Sequence, residues 1–168
     1  MRLALARSLT FNVERPTGFL TIIILSNFNY GQVRAQMDQA NFQKLDVYKR
    51  SKELVKLVYS LIKQFPIEER FALCDQLRRA VISVPSNIAE GTGRWSLKEQ
   101  LHHIEYAFGS LAEVLSQMDI AHDLGYISEE ELDHVLDHYF AISRMLSGLK
   151  NSLETRLNTQ SQSGSTHL

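Results

Sequence analysis

The sequence predicts an all-α protein, an antiparallel up-down four-helix bundle with its second helix kinked near Pro85. Three observations carry that prediction. Apolar residues recur at helical spacing through four consecutive segments. Capping boxes and Gly or Pro breaks mark the ends of those segments. No stretch in 41–157 reads better as a strand, and eight Gly and three Pro are too few for a loop-rich all-β chain.

The first helix opens at Asn41. Val47, Tyr48, Leu54, Val55, Val58, Leu61, Ile62 and Phe65 fall on one face at 100° per residue. Pro66 ends that helix and suits the first turn of the next, where Glu68 and Glu69 favour the positive end of the helix dipole. The second helix is expected to bury Ile67, Phe71, Cys74, Leu77, Val81 and Ile88. Pro85 lies inside it, lacks an N–H and crowds the preceding turn, hence the kink. Gly91 and Gly93 end it. Ser96-Leu97-Lys98-Glu99 reads as a capping box, followed by the seam Leu97, Leu101, Ile104, Phe108, Leu111, Leu115, Met118 and His122. Gly125 closes the third helix. Ser128-Glu129-Glu130-Glu131 is a second capping box, and Leu132, Val135, Tyr139, Ile142, Leu146, Leu149 and Leu153 form the fourth seam. Short connections between amphipathic helices imply antiparallel neighbours.

The chain divides into three parts. Residues 1–36 are an N-terminal extension, either disordered or the product of a start assigned upstream of Met37. They carry four Arg against one Glu, and their apolar run Phe19–Leu25 falls well short of the ~20 residues of a membrane span. Residues 37–157 form the bundle. Residues 158–168 are rich in Ser, Thr and Gln and read as a disordered tail. The expected location is cytoplasmic, with no membrane partner.

Composition narrows function by exclusion. One cysteine, Cys74, rules out an internal disulfide framework or a Cys-rich zinc site, and on an apolar helix face it reads as an inert core thiol. A formal charge of −1 removes the simplest signature of a nucleic-acid binder. Glu99-x-x-His102 and Glu131-x-x-His134 resemble the pairs of di-metal bundles. They start antiparallel helices, though, so one chain would hold them roughly 35–40 Å apart. His134 and His138 read as a solvated flank, and His122 as a partly buried seam residue. Neither a metal nor a cofactor is expected, and no catalytic residues are proposed.

Three sets of residues carry other chemistry. Lys49, Lys52, Lys56 and Lys63 cluster opposite the apolar face of the first helix, a candidate nucleic-acid ridge without interleaved aromatic residues. Arg78 falls among apolar residues and needs a partner, Asp119 or a neighbouring subunit. Gly109, Ser110 and Glu113 lie off the third seam, where small residues permit close approach by another subunit.

Residues 69–94 contain Gln76-x-x-Arg79-Ala80, Ser83-x-Pro85-x-Asn87-Ile88-Ala89-Glu90-Gly91 and Gly93-Arg94. With Gly109-Ser110-Leu111-Ala112-Glu113, Leu124-Gly125-Tyr126-Ile127 and the opening Phe42-x-x-Leu45-x-Val47-Tyr48, the chain resembles the four-helix-bundle family encoded in intervening sequences of bacterial large-subunit ribosomal RNA genes. The resemblance covers roughly 42–155. It implies a non-enzymatic homo-oligomer, a pentamer in some members. It also implies kinship with the accessory variability determinant of diversity-generating retroelements, a basic pentamer that binds nucleic acid and reverse transcriptase. Within the motif, Gln76, Arg78, Arg79, Ser83, Pro85, Asn87, Glu90, Gly91 and Arg94 are expected to be structural. Asn87 would satisfy backbone freed at Pro85, and Glu90 would pair with Arg94 across the glycine turn. One departure stands out: residues 37–168 hold 14 basic and 18 acidic residues. The expected function is a scaffold or adaptor contacting RNA or a ribonucleoprotein through the basic first helix. The competing expectation is a protein–protein interaction module with no nucleic-acid role.

Overall fold

The computed structural model describes residues 41–163. The expectations for residues 1–36, Met37 and 164–168 lie outside the described residues. Those described form four α-helices and two 3-10 turns, with no strand among them. We label the helices α1 (Asp46–Leu61), α2 (Leu73–Thr92), α3 (Leu97–Asp123) and α4 (Glu129–Ser163). None of them is long and apolar enough to cross a membrane. α2 packs chiefly on α3, α3 also on α4, and α1 on both α2 and α4.

All four helices contribute to one core. Leu54, Val58, Leu77, Val81, Ile88, Leu111, Met118, Ile142 and Leu146 are essentially sealed from solvent. Each buried aliphatic side chain of this kind stabilises the fold by roughly 1.5–3 kcal/mol over its exposed state. The α3 seam is rotated relative to the sequence expectation. Leu97, Ile104, Leu111 and Met118 are buried with Ala107, Val114 and Ala121, while Leu101, Phe108 and Leu115 are only half-buried. Small Ala107 and Ala121 bring α3 close to its neighbours, which pulls the contact face toward them.

The first two segments are more broken than their periodicity suggests. A 3-10 turn, Asn41–Lys44, leads into α1, with the Leu45 N–H on the Phe42 carbonyl at 3.1 Å. The expected second helix splits into a 3-10 turn, Ile67–Phe71, and α2, separated at Ala72 (φ −112°, ψ −105°). Ile67 and Phe71, expected in the core, are 74% and 81% exposed. The split has a local cause. The Glu69 carboxylate accepts from the Leu73 N–H at 3.3 Å and from the Tyr126 hydroxyl at 3.2 Å. It thereby starts α2 at Leu73 and turns the preceding residues off the core face.

Pro85 is buried inside α2. Gly91, expected to terminate this helix, lies within its last turn and is buried; α2 ends at Thr92. Its need for glycine is spatial. A Cβ there would come within 3.0 Å of the His103 Cβ on α3.

The two capping boxes differ. At Ser128 the box forms: the Ser128 N–H reaches Glu131 Oε2 at 2.9 Å and the Glu131 N–H reaches Ser128 Oγ at 3.2 Å. These bonds and the Gln64 amide hold the Glu131 carboxyl below its ordinary range. At Ser96 the side chain makes no capping bond. α3 ends in a Schellman motif, with Gly125 at φ 73° and the Tyr126 N–H on the Ala121 carbonyl at 2.8 Å. α4 continues through Asn158–Ser163, residues that composition assigns to a tail. The Thr155, Thr159 and Ser161 hydroxyls turn back onto the carbonyls of Asn151, Thr155 and Leu157, so these polar side chains bond along the helix they extend.

Candidate functional site

The α1 lysines are all exposed, but they are not equivalent. Lys49 is paired with Asp46 at 2.9 Å. Lys63 lies in the turn beyond α1. Lys52 and Lys56 border an open groove of about 440 Å³ between α1 and α2, floored by Tyr48, Val55, Ile82 and Pro85. Phe42 closes one side and meets Tyr48 edge-on, ring centroids 4.8 Å apart. The Lys52 ammonium sits 5.8 Å from the Tyr48 ring centroid. The sequence reading found no aromatic residues interleaved with the lysines. The structure corrects this, because the 3-10 turn folds Phe42 back onto Tyr48 at the edge of the basic face. The groove therefore sets two cations beside half-buried ring surface.

A second constellation joins α2 to α3. The Asn87 amide donates to the Ser83 carbonyl and to Ser83 Oγ, both at 2.9 Å, and Ser110 Oγ donates to Ser83 Oγ at 2.8 Å. Asn87 Oδ1 faces His103 Nδ1 at 3.4 Å. Arg94 Nε donates to His103 Nε2 at 3.1 Å, and Gln100 donates to the Arg94 carbonyl at 2.7 Å. Since His103 Nε2 accepts, its proton sits on Nδ1, facing Asn87 and, at 3.7 Å, Glu90 Oε2. Most of the family motif thus forms one polar seam. Asn87 serves the Ser83 carbonyl, not the Val81 carbonyl that Pro85 leaves without an N–H donor. Glu90 and Arg94 do not pair across the glycine turn; His103 stands between them. Sequence reasoning missed His103. Its signal was the spacing of Gln100, His103 and Ser110 on α3, opposite Ser83, Asn87 and Arg94 around α2.

The other motif residues separate. Arg78 finds its partner one turn away, donating to Asp75 at 3.0 Å and not to Asp119. Gln76 and Arg79 are exposed. Ser110, expected at an outer interface, instead turns inward to Ser83. Gly109 is open, with nothing within 4 Å of where a Cβ would stand, and Glu113 is exposed, accepting from Gln117 at 2.9 Å. With Tyr106, 60% exposed, they make an outward stripe on α3.

Cys74 is buried against the Ile62 carbonyl, and burial pushes its thiol above the ordinary range, away from the reactive thiolate. His138, expected on a solvated flank, is half-buried, with Nδ1 enclosed and without a partner. Burial and the nearby Arg50 charge lower its pKa. Among the described residues no three His, Cys, Asp or Glu side chains gather in a way that could hold a metal ion.

No curated protein matches this chain. The family model described as 23S rRNA-intervening sequence protein matches residues 43–148, a span that takes in the lysine groove except Phe42, the whole α2–α3 polar seam and the open face of α3. With the model covering more than half of its length, the chain belongs to the 23S rRNA-intervening sequence protein family.

Proposed function

We propose that this protein is a non-enzymatic, homo-oligomeric, up-down four-helix bundle of the cytoplasm. It acts as a scaffold or adaptor that contacts RNA or a ribonucleoprotein through the α1–α2 groove. The observation that carries this reading is the groove itself, where Lys52 and Lys56 stand beside Tyr48 and Phe42. Lysines hold phosphates, and the ring faces accept unstacked bases, so the preferred ligand is single-stranded.

Up-down order is supported by which helix ends meet. Gln64, just past α1, donates to Glu131 at the start of α4, and Tyr126, just past α3, donates to Glu69 ahead of α2. A bend in α2 follows from Pro85, which offers the Val81 carbonyl no N–H and crowds that turn. Self-association is supported by the α3 stripe around Tyr106 and Gly109, together with Trp95, which is fully exposed in the loop before α3. In a closed ring, the pentamer that the family resemblance implies, each copy repeats the groove, and weak contacts combine. A local basic groove also reconciles RNA contact with an acidic domain.

The test is photocrosslinking of a thiouridine-containing oligouridine to the full chain, followed by peptide mapping. Crosslinks are expected on the Phe42–Lys56 peptides and are lost in the Lys52→Glu/Lys56→Glu variant. Crosslinks confined to α3 and α4, or none at all, defeat the reading. The same exposed Trp95, Ile67 and Phe71 side chains favour a second reading, a module that binds only proteins, which predicts no crosslink.

A further inference from the structure

One end of the bundle holds a cavity of about 330 Å³ between α2, α3 and α4, bordered by Leu45 ahead of α1. Its lining is mixed: Leu45, Ile88, Ile104, Leu149 and Leu153 supply an aliphatic floor, and Thr92, Gln100 and Arg156 a polar rim. Ile88, Ile104 and Leu153 are 1%, 2% and 5% exposed, so the cavity floor is continuous with the core. Gly91 also lines it, and the missing side chain leaves room where α2 closes on α3. One cation lines the cavity, Arg156. Among the described residues this guanidinium has neither a carboxylate partner nor a hydrogen bond.

From this we infer that the end cavity is a binding site for a small amphipathic carboxylate, its aliphatic body among the leucines and isoleucines and its carboxylate on Arg156. A cavity of this size with an aliphatic floor, a polar rim and one charged group has the make-up of a site for an amphipathic small molecule. Arg presents a planar fork that matches a carboxylate in two parallel hydrogen bonds. The remaining polar side chains in the lining select against a polyphosphate. Thr92 directs its hydroxyl proton at the Ile88 and Ala89 carbonyls, and Gln100 directs its amide at the Arg94 carbonyl. Neither supplies a second positive charge, so a monoanion fits and a diphosphate does not.

The site is tested by calorimetric titration of the full chain with octanoate, and separately with octanol and octylamine. Octanoate is expected to bind saturably and more tightly than either. Arg156→Gln, a change at an exposed position, should weaken octanoate by up to about fivefold while leaving octanol unchanged. Leu149→Trp should fill the cavity and abolish both. Should that variant fail to fold, Arg156→Gln alone decides. The inference is overturned if octanoate does not saturate. It is equally overturned if octanol binds as tightly as octanoate, or if Arg156→Gln leaves octanoate affinity unchanged.

Discussion

Replacing Asn87 by Ala probes the polar seam at its centre. The amide makes two bonds of good length, to the Ser83 carbonyl and Ser83 Oγ, both at 2.9 Å. The third contact, 3.4 Å to His103 Nδ1, is too long to count as a full hydrogen bond. Two bonds in a half-buried setting contribute about 0.5–1.5 kcal/mol each. Against this, Ala is the better helix former by about 0.5 kcal/mol. The net loss is therefore about 0.5–2.5 kcal/mol, or several degrees in Tm for a folded region of this size. Urea and thermal unfolding followed by circular dichroism at one fixed chain concentration read it out. The stronger assay is a double-mutant cycle with Ser83→Ala, where a coupling of about 0.5–1 kcal/mol is expected. A stability within about 0.3 kcal/mol of the parent and no coupling would refute the Asn87–Ser83 bonds as a stabilising part of the seam.

Three further outcomes follow from other positions. Gly91→Ala should destabilise despite the gain in helix propensity, by about 1–2 kcal/mol, because the new Cβ meets the His103 Cβ at 3.0 Å and that atom is fixed to the α3 backbone. Gly109→Ala meets nothing within 4 Å, so chemical denaturation should show a gain of up to about 1 kcal/mol, while light scattering shows whether the oligomer loosens. His138 carries a folded pKa below its ordinary value of 6.5, through burial and Arg50, offset in part by Glu53 and Asp137. The unfolded chain then binds more protons below that pH, so stability is full above about 6.5 and falls as pH drops through the depressed folded value. His138→Gln should remove that part of the pH dependence in parallel urea titrations at pH 7.5 and 5.

Much of the fold was legible because the buried positions of α1 and α4 keep strict helical spacing. Leu54, Val58, Leu61, Ile142, Leu146 and Leu153 all lie where periodicity puts them. Ser128 and Glu131 form the expected box because its two bonds join residues three apart in sequence. The 66–72 segment was not legible. Its outcome depends on Glu69 meeting Tyr126, 57 residues away in sequence, and no local pattern encodes that contact. The α3 seam turned for a related reason, since Ala107 and Ala121 are weak apolar signals that become buried only when neighbouring helices come close. At the candidate site, the lysines were visible as charge. Their aromatic neighbour was not, because Tyr48 counts toward the apolar face by angle yet remains half-exposed at its edge. His103 escaped because single polar residues on a helix acquire meaning only from the side chains opposite.

The central claim, that RNA is held by the α1–α2 groove, is tested most directly by the salt dependence of oligouridine binding. Fluorescence anisotropy of the full chain should give a log–log slope for binding against salt that is clearly negative. For single strands each neutralised phosphate contributes about −0.7, so Lys52→Glu/Lys56→Glu should flatten the slope by about 1.4 per groove engaged. Absence of binding at low salt, or a slope unchanged in the double variant, would contradict the account.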